Sequence, residues 1–196
     1  CTNAGTTTEK NITEGALVNN VSITLETVEI LPEAMEKFRA GSCDIVTTDG
    51  SGLFGERSAA IQAGEEGAES WVIFPASPIS KEPLGPVVRQ GDDQWFDIVQ
   101  WTVFATFIAD EHGVTSANVN DMMNSTPELS RLFGGEGELQ TSMGLSADAF
   151  LQVIAQVGNY GEIFERNLTG PLNLQREGSF NMQWFDGGLI YAPPAR

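Results

Sequence analysis

The sequence predicts an α/β fold, and three observations carry that prediction. Residues 1 to about 76 alternate extended, β-branched runs with helix-capping signals. The resulting order, βαβαβαβ, is that of a parallel sheet with helices on both faces, a doubly wound arrangement. From about residue 90 the chain turns helical and strongly apolar, with few strands of its own.

The elements follow from local chemistry. "CTNA" is short and extended. Thr6 stands three residues before Glu9, the spacing of a capping box, so a helix is expected to begin there and run toward Val18. "VSITLETVEI" (21–30) alternates and is β-branched, a strand. Pro32 suits the first turn of a helix with Met35 and Phe38 on one side, and Gly41 suits its end. "CDIVTT" (43–48) reads as a buried strand, residues 52–62 as a helix, and "SWVIFPA" (70–76) as a further strand.

In the second half, "QWFDIVQWTVFATFIADEHG" predicts a long apolar helix stopped by Gly113. "STPELSRLFGG" predicts a short one with Pro127 just inside its start. In "LSADAFLQVIAQVG", Ser146 is expected to cap a helix, with Leu145 and Phe150 as a hydrophobic staple and Phe150, Val153, Ile154 and Val157 on one buried face. The tail is irregular and rich in Gly and Pro. These helical faces call for something further to pack against.

A chain of 196 residues, 41% hydrophobic and 19% charged, can bury a core. Its 10 basic and 27 acidic residues give a net charge of −17, a field that repels phosphates and anionic lipid and so argues against nucleic acid and membrane surfaces as partners. The apolar runs, such as "WVIF" (71–74), are too short to cross a bilayer, and any export leader is expected to have been removed or not to have been included. Two cysteines, Cys1 and Cys43, leave three readings open: free buried thiols, a bridge, or a lipidated Cys1.

In a doubly wound sheet, ligands bind at the carboxyl ends of the strands. Two loops fall there. In "GTTTE", Gly5 permits close backbone approach, and Thr6, Thr7 and Thr8 present hydroxyls and N–H groups at a positive helix end, a receptor for an anion. In "TTDGSG", Asp49 is an acceptor at a strand's end, with Thr48 beside it and Gly50 and Gly52 keeping the backbone open. Donors for an anion beside a carboxylate for a cation match an amino acid, its α-carboxylate on Thr7 and its α-ammonium on Asp49. The plainer alternative is that the first loop is a helix cap and the second a turn.

At these residues the sequence resembles the substrate-binding proteins of polar amino-acid ABC transporters, in the general L-amino-acid-binding branch. The matching segments are "AGTTTE" (4–9), "GSCDIVTTDGSGL" (41–53), "ISKEPLGPVVRQGDDQWFDIVQWTVFA" (79–105), "VGNYGEIFERN" (157–167) and "GGLIYAPPAR" (187–196), in order along the chain. The resemblance implies a type II periplasmic binding protein, a monomer that captures an L-amino acid by closing two lobes about a hinge and delivers it to a membrane permease. Residues 1–83 would form one complete, ligand-binding lobe, and 84–196 the hinge return and the helical C-terminal part of the other lobe. Thr7, with Thr6 and Gly5, would hold the ligand carboxylate; Asp49, with Thr48, the ammonium. No cofactor, metal or catalytic residue is implied.

The family carries further sheet and a ligand-gripping arginine ahead of the position numbered 1 here. The resemblance therefore implies that Cys1 lies inside a strand leaving the first hinge and that the chain is part of a longer protein. It also favours a Cys1–Cys43 disulfide, natural in an oxidising periplasm and worth about 3–4 kcal/mol in the chain-entropy model. Other classes fit less well. Ser51 and His112 match no nucleophile elbow, Asp44, Asp49 and Gly50 lack the glutamate of a calcium loop, and sequons at Asn11, Asn20, Asn124 and Asn167 reflect abundant Asn and Thr. The Trp95 and Trp101 helix could serve a sensory or interaction module, but its apolar density reads as core.

Overall fold

The computed structural model describes residues 1–75 and 78–195, which form two compact units, Cys1–Leu84 and Gly85–Arg196.

The first unit is organised around the parallel pair β1 (Thr2–Asn3) and β2 (Thr27–Val28), with Thr2 opposite Thr27 and Asn3 opposite Val28. The Thr2 N–H donates to Glu26 O at 3.1 Å and the Ala4 N–H to Val28 O at 2.8 Å. On the other side of β1, an extended run at 45–47 pairs in the same direction. The Cys1 nitrogen donates to Ile45 O at 2.7 Å, and the Thr47 N–H donates to Cys1 O at 3.0 Å. Thr2 thus sits mid-sheet, almost wholly buried, and its hydroxyl donates to Thr47 O at 3.0 Å.

Helices α1 (Thr7–Val18), α2 (Leu31–Arg39) and α3 (Gly50–Gln62) follow the three extended segments in turn. Proline lies in the first turn of α2, which buries Ala34 and Met35, and Phe38 meets Trp71 edge-on at 5.2 Å. The helix stops where Gly41 takes φ +71°, a left-handed conformation that a side chain would resist. The Gly41 N–H then reaches Phe38 O and the Ser42 N–H reaches Lys37 O, the Schellman pattern.

The ladders are shorter than the sequence suggests. Of 21–30, only Thr27–Val28 pairs as a strand, and Val21 and Ile23 are exposed. The 43–48 run hydrogen-bonds to β1 only around Ile45 and Thr47. Trp71–Pro75 is not in a ladder, and Ala76 lies outside the described residues. β-branched alternation marks residues that fit a pleated surface, but a ladder forms only where a neighbour offers backbone partners.

The second unit is helical, with no strand among the described residues beyond a single bridge between Gln183 and Ile190. Its axis is α4 (Asp93–Glu111), which buries Ala105, Thr106, Ile108 and Ala109. Gly113, at φ +64°, ends it by the same Schellman device, with the Val114 N–H on Ala109 O. The short α5 (Val119–Met122), α6 (Pro127–Leu132) and α7 (Leu139–Ser142) and the longer α8 (Ala149–Val157) share one core with α4, built from Val119, Leu129, Leu132, Phe133, Phe150 and Ile154, with Leu139 of α7 against it. Thr126 caps α6 by accepting the Leu129 N–H at 3.2 Å. Two expectations for α8 need correction. Its N-cap position is Asp148 rather than Ser146, and Val157 is exposed, because the chain leaves the helix at Gly158 before that side chain turns inward. Among the described residues no helix is long and apolar enough to cross a membrane.

Candidate binding site at the strand ends of the first unit

Because β1 and the 45–47 run are parallel neighbours, the turns that leave them open at the same edge. Cys1 accepts from Thr47 and donates to Ile45, which sets Cys1 level with Val46. The next tie along is the Thr2 hydroxyl on Thr47 O, after which the two segments run in the same direction into their turns at Gly5 and Asp49. The turn into α1 and the turn into α3 therefore start side by side, each delivering the N-terminus of a helix of 12 or 13 residues to the same rim. Both ends are positively polarised and rich in unsatisfied N–H groups.

The first turn is tightly tied. Gly5 takes φ +70°, which only glycine adopts freely. Thr6 is the N-cap; its hydroxyl donates to Asn3 O at 2.8 Å and accepts the Glu9 N–H at 3.2 Å. The Glu9 carboxylate turns back and accepts the Gly5 N–H at 2.6 Å. This differs from the expectation that three hydroxyls and their amides face outward. The Gly5 N–H and the Thr6 hydroxyl are consumed inside the turn. Thr7 and Thr8 remain, with N–H groups and hydroxyls that have no partner among the described residues.

The second turn is more open. Asp49 occupies the N-cap position of α3 in extended geometry, φ −55° and ψ 139°. Its side chain is exposed and caps nothing, and its carbonyl accepts the Leu53 N–H at 3.1 Å. The carboxylate is thus left for another donor. Thr48 is half-buried, and a Cβ built on Gly52 would lie 3.4 Å from Thr48 Cγ2, an ordinary contact, so the position has room for a small side chain. Nothing lies within 4 Å of the corresponding point on Gly50. Arg57, two turns along α3, anchors the helix by donating to Trp71 O at 2.9 Å and Glu69 O at 3.0 Å.

At the far end of the same strands, Cys1 and Cys43 form a disulfide with a Cα–Cα distance of 5.9 Å. Glu26 stands beside the sulfurs; a hydrogen bond and ion pair with Lys37 hold its carboxyl below the usual range. A disulfide offers no thiolate, so this cluster is not a metal centre as it stands. The only histidine, His112, faces Glu128 at 3.5 Å within the second unit. Ser51 lies in the first turn of α3.

What sequence reasoning missed is the direction of Glu9. Its spacing from Thr6 signals a capping box, but the carboxylate lands on Gly5 instead of on the N-cap amide, a choice set by the left-handed turn.

No family model matches the chain. Over its whole length it is 46% identical to a general L-amino acid-binding periplasmic protein of Rhizobium johnstonii. It is 41% identical to a glutamate/glutamine/aspartate/asparagine-binding protein of Rhodobacter capsulatus, and 40% to a putative amino-acid ABC transporter-binding protein of Escherichia coli. The chain spans 56–57% of the length of these relatives. Among solved structures, a periplasmic binding protein of an ABC transporter from Brucella ovis, with glutathione bound, matches the whole chain at a TM-score of 0.87 and 40% identity, and the chain covers 60% of it. The fold is accordingly that of part of an ABC periplasmic binding protein. Along its entire length the chain is similar to part of these amino-acid-binding proteins and of this periplasmic binding protein.

Proposed function

We propose that the chain is part of a periplasmic receptor that binds L-amino acids and hands them to an ABC transporter permease. The observation that carries this reading is the register that opens the turns at Thr7 and Asp49 on one rim. A zwitterion supported there places its α-carboxylate on the N–H groups and hydroxyls of Thr7 and Thr8, and its α-ammonium on Asp49. Gly5 and Thr6 shape the first contact, and Thr48 backs the second. Each charge-assisted hydrogen bond is worth about 1.5–3 kcal/mol. Four of them approach the roughly −8 kcal/mol of micromolar binding before ordering costs. The disulfide accords with an oxidising compartment, and the Rhizobium relative and the Brucella neighbour are themselves periplasmic.

The structural neighbour's glutathione favours a second ligand class. The glutamyl end of glutathione keeps a free α-carboxylate and α-ammonium, so a γ-glutamyl peptide presents the same zwitterion with a longer tail. Calorimetry on a full-length protein containing the chain distinguishes the two by titration with L-glutamate, L-glutamine and glutathione. Saturable heat without turnover is expected, and Asp49→Ala should weaken it at least 100-fold, about 2.7 kcal/mol. Wild-type affinity in that variant would place the ammonium elsewhere.

A further inference from the structure

The ring of hydrogen bonds at the start of α1 has a consequence for the proposed receptor. Asn3 O accepts the Thr6 hydroxyl, Thr6 Oγ accepts the Glu9 N–H, and Glu9 Oε2 accepts the Gly5 N–H. Glu9 closes the ring from both ends of its own residue, with the backbone on Thr6 and the carboxylate on Gly5. The residue it reaches, Gly5, is the one at φ +70° and has no side chain to restrain it: nothing lies within 4 Å of where its Cβ would be. Without the carboxylate, the Gly5 peptide is held only through its neighbours, by the Ala4 N–H on Val28 O and the Thr6 hydroxyl on Asn3 O, and glycine itself populates several regions of φ/ψ space about equally. The amides that follow the turn would then be aimed by the helix alone.

We propose, resting on the amino-acid-receptor reading above, that Glu9 is a positioning residue. It pins Gly5 in its left-handed conformation and so orients the Thr7 and Thr8 N–H groups toward the ligand carboxylate, without touching the ligand. It does so through an acceptor oxygen, and its negative charge is incidental to that task. The charge works against the function, because it adds a second anion near the place where the ligand's carboxylate would sit. A neutral acceptor of the same length should therefore serve as well or better.

Calorimetry with L-glutamate and L-glutamine on a full-length protein containing the chain tests this. Glu9→Ala should weaken both ligands about ten-fold or more, at least ~1.4 kcal/mol, and Glu9→Gln, which retains an oxygen at the same reach, should restore binding to wild-type strength or tighter. Gly5→Ala supplies the second arm. Nothing obstructs its methyl group, so weakening there reports the loss of the left-handed turn itself. Amide hydrogen exchange gives a readout that a general loss of fold would not mimic: the Gly5 N–H should lose protection in Glu9→Ala and regain it in Glu9→Gln, while β1 and β2 stay protected in all variants. Unchanged affinity in Glu9→Ala, or equal weakening in Glu9→Ala and Glu9→Gln, overturns the positioning role and leaves the receptor reading intact. Absence of heat from the wild-type protein with either ligand removes the receptor reading and this role with it.

Discussion

Asp110 shows how much a single half-buried contact organises in the second unit. The Arg176 guanidinium grips its carboxylate, Gln183 donates to it at 2.6 Å, and the same guanidinium lies 5.1 Å over the Tyr160 ring. Burial pushes the Tyr160 hydroxyl above its ordinary pKa, with the nearby Arg176 opposing the shift. Gly161 leaves room for this arrangement: a Cβ there would come within 2.6 Å of Asp110 Oδ1 and 2.8 Å of Arg176 Nη1. Gly161→Ala should push the ion pair apart and destabilise the protein by about 1–3 kcal/mol, the usual range for overpacking, read as a lowered denaturation midpoint with an unchanged m-value. None of this was legible in the sequence, because Asp110, Tyr160, Arg176 and Gln183 are brought together only by the packing of the tail on α4. Thr6 and Glu9 were legible as a pair for the opposite reason: their partners lie within one turn of chain, where spacing nearly determines geometry.

At the scale of the element, the helix ends were the part most open to reading. Gly41 and Gly113 stop their helices, and Pro32 and Pro127 start theirs, since each acts through its own backbone and needs no distant partner. Strand lengths were not, because a ladder is a property of two segments. The most complete cap belongs to the short helix Tyr160–Phe164, where Asn159 and Glu162 satisfy each other's amides at 2.9 Å in a full capping box. Glu162 also accepts from the Ser116 hydroxyl at 2.6 Å and the Ser116 N–H at 2.9 Å, joining this helix to the loop after α4. Burial alone would raise the Glu162 pKa; the bonds from Ser116 and Asn159, with Arg166 nearby, outweigh it and hold the group below the ordinary glutamate value. A carboxyl depressed in the folded state contributes stability that is present in full above its unfolded pKa and is lost as pH falls through the folded value. Stability should therefore decline as pH drops below the ordinary glutamate range, and Glu162→Gln should flatten that part of the profile while costing stability at neutral pH. An identical pH slope in wild type and variant, followed by urea denaturation, would show that the group titrates alike in both states.

For the whole molecule, the fold class was legible because the family segments run through nearly the entire chain, and the proposal for Thr7 and Asp49 rests on residue types visible before any geometry. What links those two loops, the register of β1 against 45–47, is a long-range pairing, and the disulfide secures it. Cys1 carries both backbone bonds to the 45–47 run, and Cys43 enters the same run two residues earlier. A cross-link over a sequence separation of 42 restricts the unfolded chain by about 4 kcal/mol in the entropic model. Its influence should be confined by composition, since the protein's two cysteines both lie in the first unit and the helical core around Phe133, Phe150 and Ile154 has none. Reduction should accelerate hydrogen exchange in β1, β2 and the start of α3 and weaken amino-acid binding, while protection in α4 and α8 is retained. The same treatment tests the register argument from the other side. If the 45–47 amides stay protected after reduction, the hydrogen bonds alone hold Cys1 against the 45–47 run, and the disulfide acts on the unfolded chain without shaping the site.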